Sequence, residues 1–171
     1  MRYLLLVLMV ISFIACRKEQ DPYIGKMYAK LNNGFGLVRM DAIVENISID
    51  SFLLNGTITE NEIMKWHLRL NKVPKKVGRF EFPAWALSLP SISLTEWLSD
   101  GDLIGKIYYL PETKSTNYIE ITSYNPETGD IEGRFEFTAY AGYYNGQNEI
   151  TFDLQDSMSF TNGEFYTRIK P

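Results

Sequence analysis

The sequence predicts an antiparallel all-β domain, and three observations carry that prediction. From Lys26 onward apolar and polar residues alternate with a period of two, the dipeptide Asn-Gly occurs four times, and strand-length segments recur about every ten residues. Short, unevenly spaced segments point to a β-sandwich as the closure, with a lipocalin-like β-barrel as the alternative. The chain has 171 residues, a length expected of one domain with a real core.

The N-terminus is built differently. Met1-Arg2 is a short cationic head, and no charge interrupts Tyr3 to Ala15. As a helix this run would reach roughly 20 Å, short of the ~30 Å hydrocarbon core of a bilayer, so residues 1–15 read as a signal peptide rather than a membrane span. The next residue, Cys16, is the only cysteine. Phe13-Ile14-Ala15-Cys16 resembles a bacterial lipobox, with small Ala15 before the cysteine and Phe13 where leucine is usual. That resemblance implies a diacylglycerol thioether on Cys16 and a fatty acyl chain such as palmitate on its amine. Several chains exceed what stable membrane anchoring needs. An acylated Cys16 would leave no free thiol, which removes disulfides, thiolate zinc sites and cysteine catalysis from consideration.

Residues 16–25 then form a tether. Arg17-Lys18-Glu19-Gln20-Asp21-Pro22 is polar and ends on a proline. Position 17 is not aspartate, so the inner-membrane retention signal of enterobacterial lipoproteins is absent. Lys18-Glu19 with Asp21 resembles the charged surface-export tag of Bacteroidota lipoproteins, interrupted by Gln20. The expected location is the outer membrane, on its periplasmic face or at the cell surface.

Residues 26–171 form the expected β domain. Met64, Trp66, Leu68 and Leu70 alternate with Lys65, His67, Arg69 and Asn71. Ile131, Gly133, Phe135 and Phe137 alternate with Glu132, Arg134, Glu136 and Thr138. Ile47/Ile49, Phe80/Phe82, Ile119/Ile121 and Ile150/Phe152/Leu154 repeat the pattern in shorter segments. One buried and one wet face is the antiparallel signature. Asn33-Gly34, Asn55-Gly56, Asn145-Gly146 and Asn162-Gly163 are expected at tight turns, because this dipeptide accepts positive φ. Asn125 to Asp130, with Pro126 and Gly129, is expected to turn the Ile119 strand into the Ile131 strand. Pro83 to Gly101 alternates poorly and reads as an apolar crossover over a barrel mouth or sheet edge, with one helical turn at Thr95–Leu98.

The segment Ile121-Thr122-Ser123-Tyr124, the following turn, Ile131-Glu132-Gly133-Arg134-Phe135-Glu136-Phe137 and then Phe160-Thr161-Asn162-Gly163-Glu164-Phe165 has a recognisable layout. It resembles the C-terminal "GxFxF … TNGxF" signature of small uncharacterised Bacteroidota lipoproteins. Leu54-Asn55-Gly56 and Gly78-Arg79-Phe80-Glu81-Phe82 fit their earlier half, and Arg134 departs from the usual small polar residue. The resemblance implies a secreted, lipid-anchored all-β domain and supplies no catalytic residues. Gly133 reads as a close-approach or bulge position and the phenylalanines as core.

Composition narrows the function. A net charge of −4 gives no pull toward nucleic acid, and one histidine excludes multi-histidine metal centres. His67 lies between Lys65 and Arg69 on a polar strand face, so no catalytic role is expected of it. The acid pairs Glu60/Glu62, Glu132/Glu136 and Asp153/Asp156 read as solubilising groups, and Asp100-Gly101-Asp102 as a turn rather than a calcium loop. No catalytic residue, metal or cofactor is predicted. The candidate binding residues are Tyr140, Tyr143, Tyr144, Asn145 and Gln147, where rings and amides in one expected hairpin loop suit a glycan or a protein. Tyr108, Tyr109, Trp85 and Trp97 are candidates to extend that surface. The expected function is a non-enzymatic envelope binding module, ahead of a lipocalin-like carrier of a small apolar ligand and, last, a two-carboxylate hydrolase.

Overall fold

The computed structural model describes residues 21–31, 36–60, 63–82, 91–98, 104–111, 116–144 and 150–169. The signal segment, Cys16 and most of the tether fall outside these residues. The described residues form ten antiparallel strands: β1 (Ile24–Leu31), β2 (Gly36–Asn46), β3 (Ser51–Glu60), β4 (Ile63–Pro74), β5 (Gly78–Glu81), β6 (Ser91–Trp97), β7 (Ile104–Tyr109), β8 (Tyr118–Tyr124), β9 (Asp130–Tyr144) and β10 (Ile150–Arg168). The all-β antiparallel expectation holds.

All ten strands belong to one sheet, in the order β10-β1-β2-β3-β4-β6-β7-β9-β8-β5. β10 also pairs with β9 along nearly its whole length, from Ile150↔Tyr144 to Arg168↔Asp130. The ladder β10-β1-β2-β3-β4-β6-β7-β9 therefore returns on itself. Of the two closures expected, this unbroken ring of pairings is the barrel's, while its opposite walls meet across one core as sandwich layers do. The far edge of β9 is shared: β8 takes Ile131 to Glu136, and β7 takes Tyr140 and Ala141. At that fork the Asn117 side chain accepts a hydrogen bond from Thr138 N at 3.0 Å, while its backbone carbonyl accepts one from Phe82 N. Asn117 is buried there, filling a place where two strands part and the ladder would leave a donor unpaired. After Pro74 the chain bends through Lys75–Val77 into β5, which pairs with β8 at the end of the sheet.

The barrel encloses a packed interior. Phe135, Phe137 and Phe160 lie against one another, the latter two with centroids 4.7 Å apart, and Met27, Met40, Leu54, Leu68, Leu70 and Leu94 are fully buried around them. Where β9 meets β10 the packing is reciprocal. Gly133 pairs with Phe165, and Phe135 with Gly163. A methyl group on Gly133 would lie 2.6 Å from the Phe165 ring, and one on Gly163 would lie 2.6 Å from the Phe135 ring. Each ring thus occupies the space above the glycine opposite it.

Several expectations are corrected. Asn162-Gly163 is no hairpin turn: it lies inside β10, where the register shifts between Phe160 and Gly163 and Asn162 takes a φ of 51°. Asn55-Gly56 also lies inside a strand, β3, with Gly56 against the sulfurs of Met27 and Met40. The two remaining Asn-Gly pairs fall outside the described residues, in stretches joining strands that pair up to their ends at Leu31↔Gly36 and Tyr144↔Ile150. Ile47 and Ile49 do not form a strand; they belong to the exposed turn between β2 and β3. Residues 91–97 are neither crossover nor helical turn but β6, a ring strand between β4 and β7. The face of Ile150, Phe152 and Leu154 is not the buried one expected: Ile150 and Phe152 stand opposite Tyr144 and Gly142 on the outer side of β9, Asp153 takes the place opposite buried Ala141, and Leu154 is exposed in the bulge that follows. Residues 83–90 and 99–103, with Trp85 and Asp100-Gly101-Asp102, fall outside the described residues.

The 125–130 turn forms as expected. Asn125 Oδ1 accepts hydrogen bonds from Glu127 N and Thr128 N, Gly129 N donates to Asn125 O, and Gly129 takes a φ of 77°.

The reciprocal packing makes a stability prediction. Gly133→Ala and Gly163→Ala should each destabilise the protein by roughly 1–3 kcal/mol through overpacking. Asn162→Gly, which relieves a positive φ, should be neutral or slightly stabilising. Urea-denaturation midpoints measure all three.

Candidate functional site

The barrel has two ends. At one of them, here called the mouth, β1, β3, β6 and β9 finish and β2, β4, β7 and β10 begin. Inward positions along the strands are filled by core side chains until this last turn of the wall, where a recess of about 370 Å³ opens. Leu31, Val38, Ile58 and Trp66 give it apolar walls, and Thr59, Lys65 and Glu96 add polar groups.

Alternation explains which side chains arrive there. Trp66, Leu68 and Leu70 share the inner face of β4, as their spacing predicts, and Trp66 is the member nearest the mouth. Register carries that inner face sideways: Trp66 is opposite Glu96, and Glu96 is opposite Lys106. Two residues further along β7 is Tyr108, buried, with its ring tilted against Trp66 at 6.0 Å. From the other side of the ring, the β10 bulge delivers Asp156. Its carboxylate accepts a hydrogen bond from Tyr108 Oη at 3.1 Å and pairs with Lys106 Nζ at 2.6 Å.

The charges of this trio lock one another. The Lys106 ammonium holds the Asp156 carboxyl below the usual carboxylate range, with burial opposing and the Tyr108 hydroxyl assisting. Lys106 is in turn raised by its hydrogen bond to Asp156. Burial pushes the Tyr108 phenol far above its ordinary value, and Asp156 adds to that. At neutral pH the mouth therefore presents a fixed ion pair and a fixed neutral hydroxyl beside an indole. Such preset polar groups next to a flat apolar wall can orient a ligand. An Asp156 held ionised is the opposite of a carboxylic acid poised to donate a proton.

The candidate residues distribute unevenly around this mouth. Tyr143 is 53% exposed, on the same face of β9 as Ala139 and Ala141, and near enough to Lys106 and Tyr108 to interact with them electrostatically. Tyr140 faces the other way, partly buried on the outer wall opposite Tyr109, so Tyr140 and Tyr143 do not share a surface. Tyr144 ends β9 opposite Ile150, and Asn145 and Gln147 fall outside the described residues. Leu37, Leu98 and Ile104 are further exposed apolar side chains at this end. The residues that sequence reasoning missed are Trp66, Lys106 and Asp156. The first looked like core, and the last looked like half of a solvated acid pair.

No group of three or more His, Cys, Asp or Glu side chains able to hold a metal ion occurs among the described residues. No helix among them is long and apolar enough to cross a membrane. Comparison with family models, curated proteins and solved structures finds no match for this chain.

His67 sits apart from the mouth's inner face, on the outer side of β4 opposite Thr57 and Thr95. Burial lowers its pKa, the Arg69 cation lowers it further, and Glu45 partly opposes them. An unfolded chain therefore takes up this proton at higher pH than the folded one, so stability is lost as pH falls below about 6.5. The urea midpoint should drop between pH 7.5 and 5.5, and His67→Gln should flatten that slope.

Proposed function

We propose that the chain is a lipid-anchored cell-envelope protein, held at the outer membrane by acylated Cys16, that binds a ligand or partner at the barrel mouth without catalysing a reaction. The observation that carries this reading is the mouth, where Trp66 walls the recess and packs against Tyr108 of the Lys106–Asp156–Tyr108 network, with Tyr143 exposed on β9. Flat rings with fixed donors and acceptors suit a glycan or a polar protein loop. The lipobox-like Phe13-Ile14-Ala15-Cys16 supports the anchor, as does the resemblance to small Bacteroidota lipoproteins.

A second reading, a carrier of a small apolar molecule, draws on the walls formed by Leu31, Val38 and Ile58. Against it stands the interior, which Phe135, Phe137 and Phe160 fill where such a molecule would be enclosed. The ionised Asp156 speaks against a carboxylate-based hydrolase at this place.

The anchor and the mouth are tested separately. Cys16→Ser should move the protein out of the membrane fraction, and intact mass of the native chain should show the acyl groups. Glycan arrays and envelope-extract pull-downs with the acylated protein in detergent should yield a binder that changes Trp66 emission. Its affinity should fall at least tenfold in Lys106→Ala and in Tyr143→Ala. A binder indifferent to both variants, or none at all, would count against the mouth.

A further inference from the structure

We infer that the end of the barrel opposite the mouth rests directly on the phospholipid surface, through the β2–β3 turn and the β4–β5 bend, and that this contact points the mouth away from the bilayer. The inference rests on the proposed acylation of Cys16. Its first support is where the chain enters the barrel. β1 begins at Ile24, opposite Ile43, and β2 runs on to Asn46 before turning. The turn thus projects about 10 Å beyond the level at which the tether joins the wall, at ~3.3 Å per residue. The residues from Cys16 to Tyr23 span at most roughly 28 Å extended. A bilayer holding the acyl chains is therefore nearest the turn, at the end where the tether joins, and the mouth stands roughly 23 Å further along the eight residues of β1.

The second support is what that end presents. Ile49 is 89% exposed and Val77 63%, with Ile47 beside them. The two segments carrying them are tied together: Lys75 N donates to Asp50 O at 2.9 Å, and Lys75 Nζ donates to Asn46 Oδ1 and to Ser48 O. These hydrogen bonds join them into one rim. Between them opens a recess of about 550 Å³ walled by Pro74, Phe80 and Tyr124, with Lys75 and Lys76 against the single carboxylate of Asp50. The Lys76 ammonium lies 5.7 Å from the Phe80 ring centroid. Protruding aliphatic tips flanked by lysines suit an interface in which the tips enter the acyl boundary and the ammonium groups meet lipid phosphates. In a free aqueous protein an isoleucine exposed at a loop tip gains nothing; at a bilayer it is removed from water.

The acylated, full mature protein supplies its own test, because acylated Cys16 offers no thiol to label. Ile49→Cys, Val77→Cys and, at the mouth, Leu37→Cys each introduce one exposed labelling site. Each labelled protein is placed on vesicles of phosphatidylethanolamine and phosphatidylglycerol that carry doxyl-quenched lipid. The label should lose at least half its emission at positions 49 and 77 and stay unquenched at 37. Intact mass is read first. An unmodified Cys16 overturns both the anchor and this inference. A modified Cys16 with positions 49 and 77 no more quenched than 37 overturns the docking alone, as does equal quenching at all three, which would mean a barrel lying flat.

Discussion

Closure of the barrel depends on one ladder, the pairing of β9 with β10. Without it the remaining strands would make an open sheet with β10 and β5 at its edges and its apolar face uncovered. The ladder is long, and a long straight pair cannot follow a barrel wall of this small circumference. Two register shifts in β10, at Asp153/Ser157 and at Phe160/Gly163, supply the bends. The second coincides with the reciprocal glycine–phenylalanine packing. Bulge, positive φ at Asn162 and the Phe165 and Phe135 rings are therefore parts of one device: the glycines let the backbones turn tightly, and the rings restore the contact area that the glycines forgo.

A filled and closed barrel has consequences for where function can reside. The inner face is committed to Phe, Met and Leu contacts, and the outer wall alternates polar residues. Chemistry is left to the two ends, where the last inward position of each strand has a neighbour on one side only. Trp66, Glu96, Lys106 and Tyr143 all occupy such positions. At the other end the same geometry leaves Ile49 and Val77 uncovered. The two ends differ in their polar groups: the mouth sets a hydrogen-bonded network beside an indole among exposed Leu37, Leu98 and Ile104, and the other end sets aliphatic tips beside lysines.

The sequence made the walls legible and the joints illegible, for a physical reason. Period-two alternation follows from burial of one strand face, so Trp66/Leu68/Leu70 and Ile131/Gly133/Phe135/Phe137 could be read directly. A dipeptide that tolerates positive φ serves a hairpin turn and a bulge equally, and nothing local separates Asn162-Gly163 from a turn. Residues 91–97 alternate over too short a span, among prolines and tryptophans, for their place in the ring to show. Asn117 could not be found at all, since its role exists only where β7 and β8 part along β9. Of the mouth, Tyr143 was legible as an aromatic near a loop. Its partners come from strands β4, β7 and β10, and only register brings them together.

Asp156 shows how closely site and closure are joined. In a regular β10 the residues after Asp153 would continue opposite Tyr140, which would put Asp156 opposite Thr138 on the outer wall, away from Lys106 and Tyr108. The bulge inserts residues 154–156 without partners on β9 and turns Asp156 toward Lys106 and Tyr108. The irregularity that lets the wall curve is thus the one that completes the polar network. The same three residues leave Leu154 exposed beside it. A change that straightened β10 would take Asp156 away from Lys106 and Tyr108 even with Asp156 still in the sequence. The binding chemistry of this end is therefore a property of the β9–β10 register, and the residues most able to disturb it lie in the ladder rather than in the recess.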